Sequence, residues 1–225
     1  MTSSAYQSPV EAKDRFKNSN LVQAWLVLLL AMSFGAALAA VQVNLAGVIA
    51  ANKLNETLAQ VPKLVKNPSA ESAASIDATP GTVTIQRENK TKAYSVFRAT
   101  LKDRTAGWVI KSAGQGYADR IELLIGLDPQ VETITGIFIL DQKETPGLGN
   151  KIIRPDWRSQ FINKKTHKPL SIAKSESESK QANAIDAITG ATISSRAVTA
   201  IVNQTIADVK GCLTPPNVQF IERQK

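Results

Sequence analysis

The chain is poor in the residues that most enzymes use for chemistry. Its 225 residues include one cysteine, Cys212, and one histidine, His167. A single thiol excludes an intramolecular disulfide, and no Cys or Cys/His cluster offers metal-ligand spacing. One imidazole also leaves little from which to build a Ser-His-Asp relay. His167 itself lies in Lys164-Lys165-Thr166-His167-Lys168-Pro169, which reads as a solvated loop. Aromatic residues make up only 5% of the chain, and the lysines and arginines behind the formal charge of +8 are scattered. No basic helix or stacking platform results, which excludes a nucleic-acid partner. The charge suits anionic lipid head groups or an acidic partner better. No G-x-G-x-x-G opens a parallel crossover unit and no G-x-x-x-x-G-K-S/T is present, so dinucleotide-fold and P-loop readings fall away.

Charge is missing altogether from Leu21 to Val41, a run of the ~20-residue length that spans a bilayer core. Lys13, Arg15 and Lys17 precede it, so the positive-inside bias places the N-terminus in the cytoplasm and the remainder outside. A cleaved signal peptide is the rival reading, since Ala37-Leu38-Ala39 resembles a peptidase site, but the apolar run is long for one. Leu45, Val48, Ile49, Leu54, Leu58 and Val61 continue a helical pattern as a stem up to Pro62. The stretch 67–81, rich in small and turn-forming residues, reads as a linker. Five regions follow: an N-terminal segment (1–20), a transmembrane helix (21–43), a stem and linker (44–81), a folded domain (82–213) and a tail (214–225).

Short β-branched runs at 82–86, 93–101, 107–110, 121–127 and 133–140 predict strands, and Asp128-Pro129-Gln130 predicts a hairpin connection, so an antiparallel sheet is expected. Gly114-Gln115-Gly116-Tyr117 sets two glycines beside an aromatic, a pattern that lets backbone approach a ligand. Glu144-Thr145-Pro146-Gly147-Leu148-Gly149-Asn150 predicts a rigid turn with a positive φ at Gly147. Pro155 to Ile162 predicts a short helix with Trp157 and Phe161 as core anchors, and 174–181 a solvated loop.

The stretch Ile185 to Arg196 opens into an amphipathic helix whose apolar face carries Val198, Ile201, Val202, Ile206 and Val209. Thr189, Thr192, Ser194 and Ser195 crowd its N-terminus. Such hydroxyls are ordinary helix caps. The same place also favours an anion, because unpaired N–H groups and the positive end of the helix dipole converge there.

The Glu144-Thr145-Pro146-Gly147-Leu148-Gly149 turn is followed about forty residues later by Asp186-Ala187-Ile188-Thr189-Gly190-Ala191-Thr192. This pair resembles the covalent FMN-binding domain family. That family occurs in the G subunit of Rnf-type ion-translocating oxidoreductases and in the C subunit of the sodium-translocating NADH:quinone reductase. The resemblance implies an α+β fold: a single N-terminal transmembrane helix followed by an FMN-binding domain with a curved antiparallel sheet flanked by helices. It implies covalent FMN on Thr192 through a phosphodiester, with Thr189, Gly190, Ala191, Ser194 and Ser195 as the surrounding motif. The family often has Ser where this chain has Thr189. The resemblance further lays Glu144, Thr145, Gly147, Leu148 and Gly149 against the isoalloxazine ring and brings Gly116 and Tyr117 near the site. Lys174 is added as a candidate for the ring edge or phosphate on charge alone.

The function so implied is that of a membrane-anchored electron-transfer subunit of an Rnf-type translocase, not a complete enzyme alone. Its implied partners are the other membrane and redox subunits, membrane lipid, and a flavin transferase for maturation. Its implied location is the bacterial cytoplasmic membrane, with the flavin domain outside. The alternatives are the quinone-reductase C subunit and a stand-alone anchored flavin sensor or interaction module.

Overall fold

The apolar run near the N-terminus passes without a break into the stem, giving one helix, α1 (Asn20–Leu64), in a computed structural model that describes residues 20–65, 76–87, 90–173, 178, 181–213 and 217–220. The expected stop at Pro62 is passed by two residues, because the missing proline N–H removes one bond near an end that frays anyway. The chain divides into two units, Met1–Leu54 and Asn55–Lys225. In the first, Trp25, Leu28, Leu30 and Phe34 stand exposed along α1. Its most apolar 18-residue window has a mean hydropathy of 2.3, so by length and composition it can cross a membrane. The Asn44 amide donates to the Ala40 carbonyl at 2.8 Å, which satisfies this polar group within the helix.

The second unit is built on an antiparallel sheet of β1 (Asp77–Arg87), β2 (Lys90–Leu101), β3 (Arg104–Gln115), β4 (Arg120–Leu127), β5 (Ile134–Asp141) and the short β8 (Gln219–Phe220). The spatial order is β5-β4-β3-β2-β1-β8. Between β2 and β3, Lys102 and Asp103 both have positive φ (48° and 61°), as a two-residue hairpin whose twist matches its strands requires. The sheet starts earlier than expected, at Asp77, and the tail returns to it: β8 pairs with Gly81 and Thr82. Gly81 permits this return, since a Cβ there would meet Val218 at 2.7 Å, and Arg98 stacks over the Phe220 ring at 4.3 Å.

Successive strand residues serve opposite faces. Val96, Trp108, Ile110, Leu123 and Ile125 pack into one core with Val198, Ile201, Val202, Ile206 and Val209 of helix α3 (Thr192–Val209). Phe97, Val109 and Leu124 point the other way, into a second core with Val61, Leu64 and Val65 at the end of the stem. Glycines set how closely each helix approaches. At Gly114 a Cβ would lie 2.5 Å from Ile201, and at Gly126 one would lie 2.6 Å from the Leu64 carbonyl, which accepts from Thr135 Oγ1. Between sheet and α3 come a 3-10 turn (Gly149–Ile153), helix α2 (Pro155–Arg158), a second 3-10 turn (Ser159–Phe161) and a parallel pair, β6 (Ser171–Ala173) with β7 (Ala184–Asp186). Trp157 and Phe161 are core anchors as predicted, in edge contact at 5.2 Å.

At the far end of α3, buried Tyr94 donates to Asp208 at 2.5 Å, and Lys92 lies 3.7 Å from the same carboxylate and 4.6 Å from the Tyr94 ring centre. Burial, followed by the hydrogen bond to Asp208 and that residue's charge, pushes the Tyr94 phenol well above its ordinary value. The folded chain therefore keeps this proton where the unfolded chain loses it. Stability from Tyr94 is fully present below about pH 10 and is lost as pH rises toward the folded value. Urea unfolding is expected to show wild type losing about 1 kcal/mol more than Tyr94→Phe by one pH unit above 10. Parallel pH profiles for the two proteins would contradict this.

Candidate functional site

The strand directions bring the singled-out segments to one end of the sheet. Gln115 at the end of β3 pairs with Arg120 at the start of β4, and Glu122 pairs with Asp141 at the end of β5. The connections 116–119 and 142–148 therefore leave from the same edge. A single side chain joins them to α3. Glu144 is 4% exposed; its Oε1 accepts the Ala118 N–H at 3.1 Å, and its Oε2 accepts a short hydrogen bond from the Ser194 hydroxyl. The Glu144 N–H is held in turn by Gln142 Oε1 at 2.7 Å. Among the described residues no Lys or Arg pairs with this carboxylate. Its charge rests on the donors and on the α3 N-terminus, whose third residue is Ser194.

Two of the predicted site glycines owe their identity to this carboxylate. A Cβ on Gly116 would strike Glu144 Oε1 and lie 2.6 Å from the Asp119 carbonyl. One on Gly149 would lie 2.7 Å from Ser194 Oγ and 2.9 Å from Glu144 Cβ. Gly114 likewise makes room for Ile201, so at both Gly114 and Gly116 the close approach is made by the chain itself. Gly147 differs. Its φ of 76° requires glycine, and nothing lies within 4 Å of where a Cβ would stand.

The other motif hydroxyls divide into inward and outward groups. Ser194 and Ser195 are buried. Ser195 Oγ donates to the Ala191 carbonyl and accepts the Ile188 N–H, both at 3.0 Å, which folds the motif turn onto its own helix. Thr189 and Thr192 are exposed, Thr192 as the first residue of α3. The N-cap residue Ala191 gives no side-chain capping bond, so no hydroxyl of the motif closes the helix end in the ordinary way. Gly190 has a φ of 78°, and a Cβ there would meet Leu148 Cδ2 at 3.0 Å, so the Gly147-Leu148 turn leans on the motif turn. Thr145 is exposed, and its carbonyl accepts the Leu148 and Asn150 N–H groups at 3.2 Å. Three large apolar side chains on the joined segments stand in solvent: Tyr117 (61% exposed), Leu148 (43%) and Ile193 (56%).

Sequence reasoning missed the support beneath the motif. Trp157 Nε1 donates to the Asp186 carbonyl at 2.8 Å, and Gln160 Oε1 accepts the Asp186 N–H at 2.7 Å. These side chains, with Lys151, Arg154, Asp156, Ile188 and Thr189, line a cavity of about 310 Å³ beside the motif turn. Arg154 is held there by Asp156 at 2.7 Å. The sequence marked Trp157 only as a core anchor and carried no sign of these bonds to Asp186. Lys174 lies outside the described residues. His167 is exposed, and the described residues hold no cluster of groups able to bind a metal.

The crowding at Gly149 generates a test. Gly149→Ala is expected to cost about 1–3 kcal/mol by overpacking. Part of that cost should disappear in a Ser194→Ala background, where the 2.7 Å contact is removed. A double-mutant cycle by urea unfolding should give a coupling of about 0.5 kcal/mol or more. Strict additivity would show that the two residues do not share this space.

The FMN-binding domain family matches residues 116–207, which contain Gly116, Glu144, the turn from Thr145 to Gly149 and the motif from Thr189 to Ser195. The G subunit of the Na(+)-translocating ferredoxin:NAD(+) oxidoreductase complex of Acetobacterium woodii is 30% identical over 177 residues, 76% of this chain and 84% of that protein. The G subunit of the ion-translocating oxidoreductase complex of Pseudoalteromonas atlantica is 39% identical over 113 residues, and there the match spans about half of each protein, 49% of this chain and 51% of the relative. The crystal structure of Shewanella oneidensis NqrC shares the fold, with a TM-score of 0.56 at 18% identity over 69% of this chain and 93% of that one. With its FMN-binding domain and a G-subunit relative matched over most of its length, the chain belongs to the G-subunit family of ion-translocating oxidoreductase complexes.

Proposed function

We propose that this chain is a membrane-anchored flavoprotein subunit that carries FMN covalently on Thr192 and passes electrons within an ion-translocating oxidoreductase complex. The observation that carries the reading is the exposed Thr192 hydroxyl on the first residue of an 18-residue helix whose N-terminus has no side-chain cap. A phosphodiester there would keep one negative charge beside open N–H groups, an arrangement that stabilises an anion by about 0.3–2 kcal/mol. The residues present fit an attached flavin in other respects as well. Leu148, Tyr117 and Ile193 offer uncovered apolar surface for a planar ring, and the open space at Gly147 admits it.

FMN, when bound, supplies the redox chemistry, accepting and releasing electrons. The chain's part is to hold and orient it. Thr189, Gly190 and Ala191 shape the turn before Thr192, and Ser195 locks that turn to the helix. Thr145, Gly147, Leu148 and Gly149 present the facing loop, held by Glu144. The scarcity of histidine and cysteine, awkward for a hydrolase, suits an electron carrier. Helix α1 supplies the anchor, with the N-terminus in the cytoplasm and the flavin domain outside, in line with the basic residues before the apolar run. Anionic lipid, neighbouring redox subunits and a flavin transferase complete the expected partners.

Expression with a flavin transferase, followed by intact mass and in-gel flavin fluorescence, tests the attachment. Thr192→Ala is expected to lose both the added FMN mass and the fluorescence, whereas Thr189→Ala keeps both at lower yield. Full flavin retention by Thr192→Ala would overturn the assignment.

A further inference from the structure

A buried carboxylate without a cation partner calls for a reason, since moving such a group out of water costs several kcal/mol unless donors replace its hydration. Among the described residues Glu144 is so placed, and its two oxygens face segments far apart in sequence: Ala118 in the β3–β4 connection and Ser194 in the first turn of α3. Gly116 and Gly149 both lack the side chains that would displace it. The carboxylate therefore fixes the first turn of α3 from the side, where an ordinary capping residue would fix it from the end. Thr192 lies in that same turn, and its cap position is filled by Ala191, which contributes no side-chain bond. Holding the turn through Ser194 leaves the end of the helix open and the Thr192 hydroxyl exposed.

We propose that Glu144 is a positioning residue that acts through Ser194 to order the first turn of α3 and so presents the Thr192 hydroxyl for attachment of the flavin phosphate. This rests on the reading of Thr192 as the attachment point. It departs from the expectation that Glu144 meets the ring, because its carboxyl group is buried against protein donors.

The two obvious substitutions separate geometry from charge. A glutamine at 144 accepts from the Ala118 N–H through its carbonyl oxygen and donates to Ser194 Oγ through its amide, so it keeps both links. An alanine keeps neither. Peptide-level hydrogen exchange is measured over residues 190–196 on the full-length chain in detergent, made without flavin transferase. Glu144→Ala is expected to exchange about tenfold faster there, and Glu144→Gln close to wild type. The initial rate of flavin attachment on adding the transferase and its flavin donor, followed by intact mass, is expected to fall about tenfold for Glu144→Ala and to be rescued in Glu144→Gln.

Unchanged exchange in Glu144→Ala overturns the proposal whatever the flavin does. Faster exchange with a wild-type attachment rate also overturns it, since the order of the turn would then be irrelevant to attachment. A wild-type chain that takes no flavin, while Glu144→Ala still loosens the turn, supports the clasp and overturns the covalent reading instead.

Discussion

The site depends on the hydrogen-bonded burial of the Glu144 carboxylate. Three stretches that are far apart in sequence end at this group: the loop after β3, the Thr-Pro-Gly turn after β5, and the first turn of α3. Each must leave space for it or donate to it. That requirement accounts for Gly116, Gly149 and Ser194 together, with no ligand needed to explain them. What the carboxylate does not use is what a cofactor can use. Thr192, the helix end without a side-chain cap, and Leu148, Tyr117 and Ile193 are left exposed.

The rest of the domain makes this junction stiff. The sheet is covered on both faces, by α3 on one and by the end of the stem on the other, and close packing at Gly114 and Gly126 sets each helix almost against the backbone. Helix α3 is tied down along its length, by Ser194 at the start, by Thr205 to Ser112 at 2.6 Å in its second half, and by Asp208 to Tyr94 near its end. The first turn of the helix is thereby held by the whole core. Through the second core, Val61, Leu64 and Val65 of the stem belong to the folded unit.

The linear motifs were legible because each is a local backbone requirement. Gly147 does have a positive φ, and the 3.6-residue pattern from Val198 to Val209 is the face of α3 that packs on the sheet. The strands were legible where β-branched runs were long. Strand β8, with two residues, and β6 and β7, with three each, are too short to show a period, so their pairing was invisible. The start of β1 was hidden by Thr79-Pro80-Gly81, which reads as a turn but forms an edge of the sheet crossed only by the short β8. The inward role of Glu144 was not legible either. Nothing near it in sequence marks it as buried, and the cue lay in two glycines 28 and 5 residues away, whose missing side chains make sense only once the segments meet.

The proposed attachment atom, Thr192 Oγ1, belongs to an exposed residue that opens a helix without a side-chain cap, across from a loop held by a buried acid. The most direct measurement is site localisation by fragmentation mass spectrometry of the 181–196 peptide, from wild-type chain produced with a flavin transferase. The account predicts the FMN phosphate mass on Thr192 alone. The same mass on Thr189, Ser194 or Ser195, or a peptide with no added mass, would contradict it.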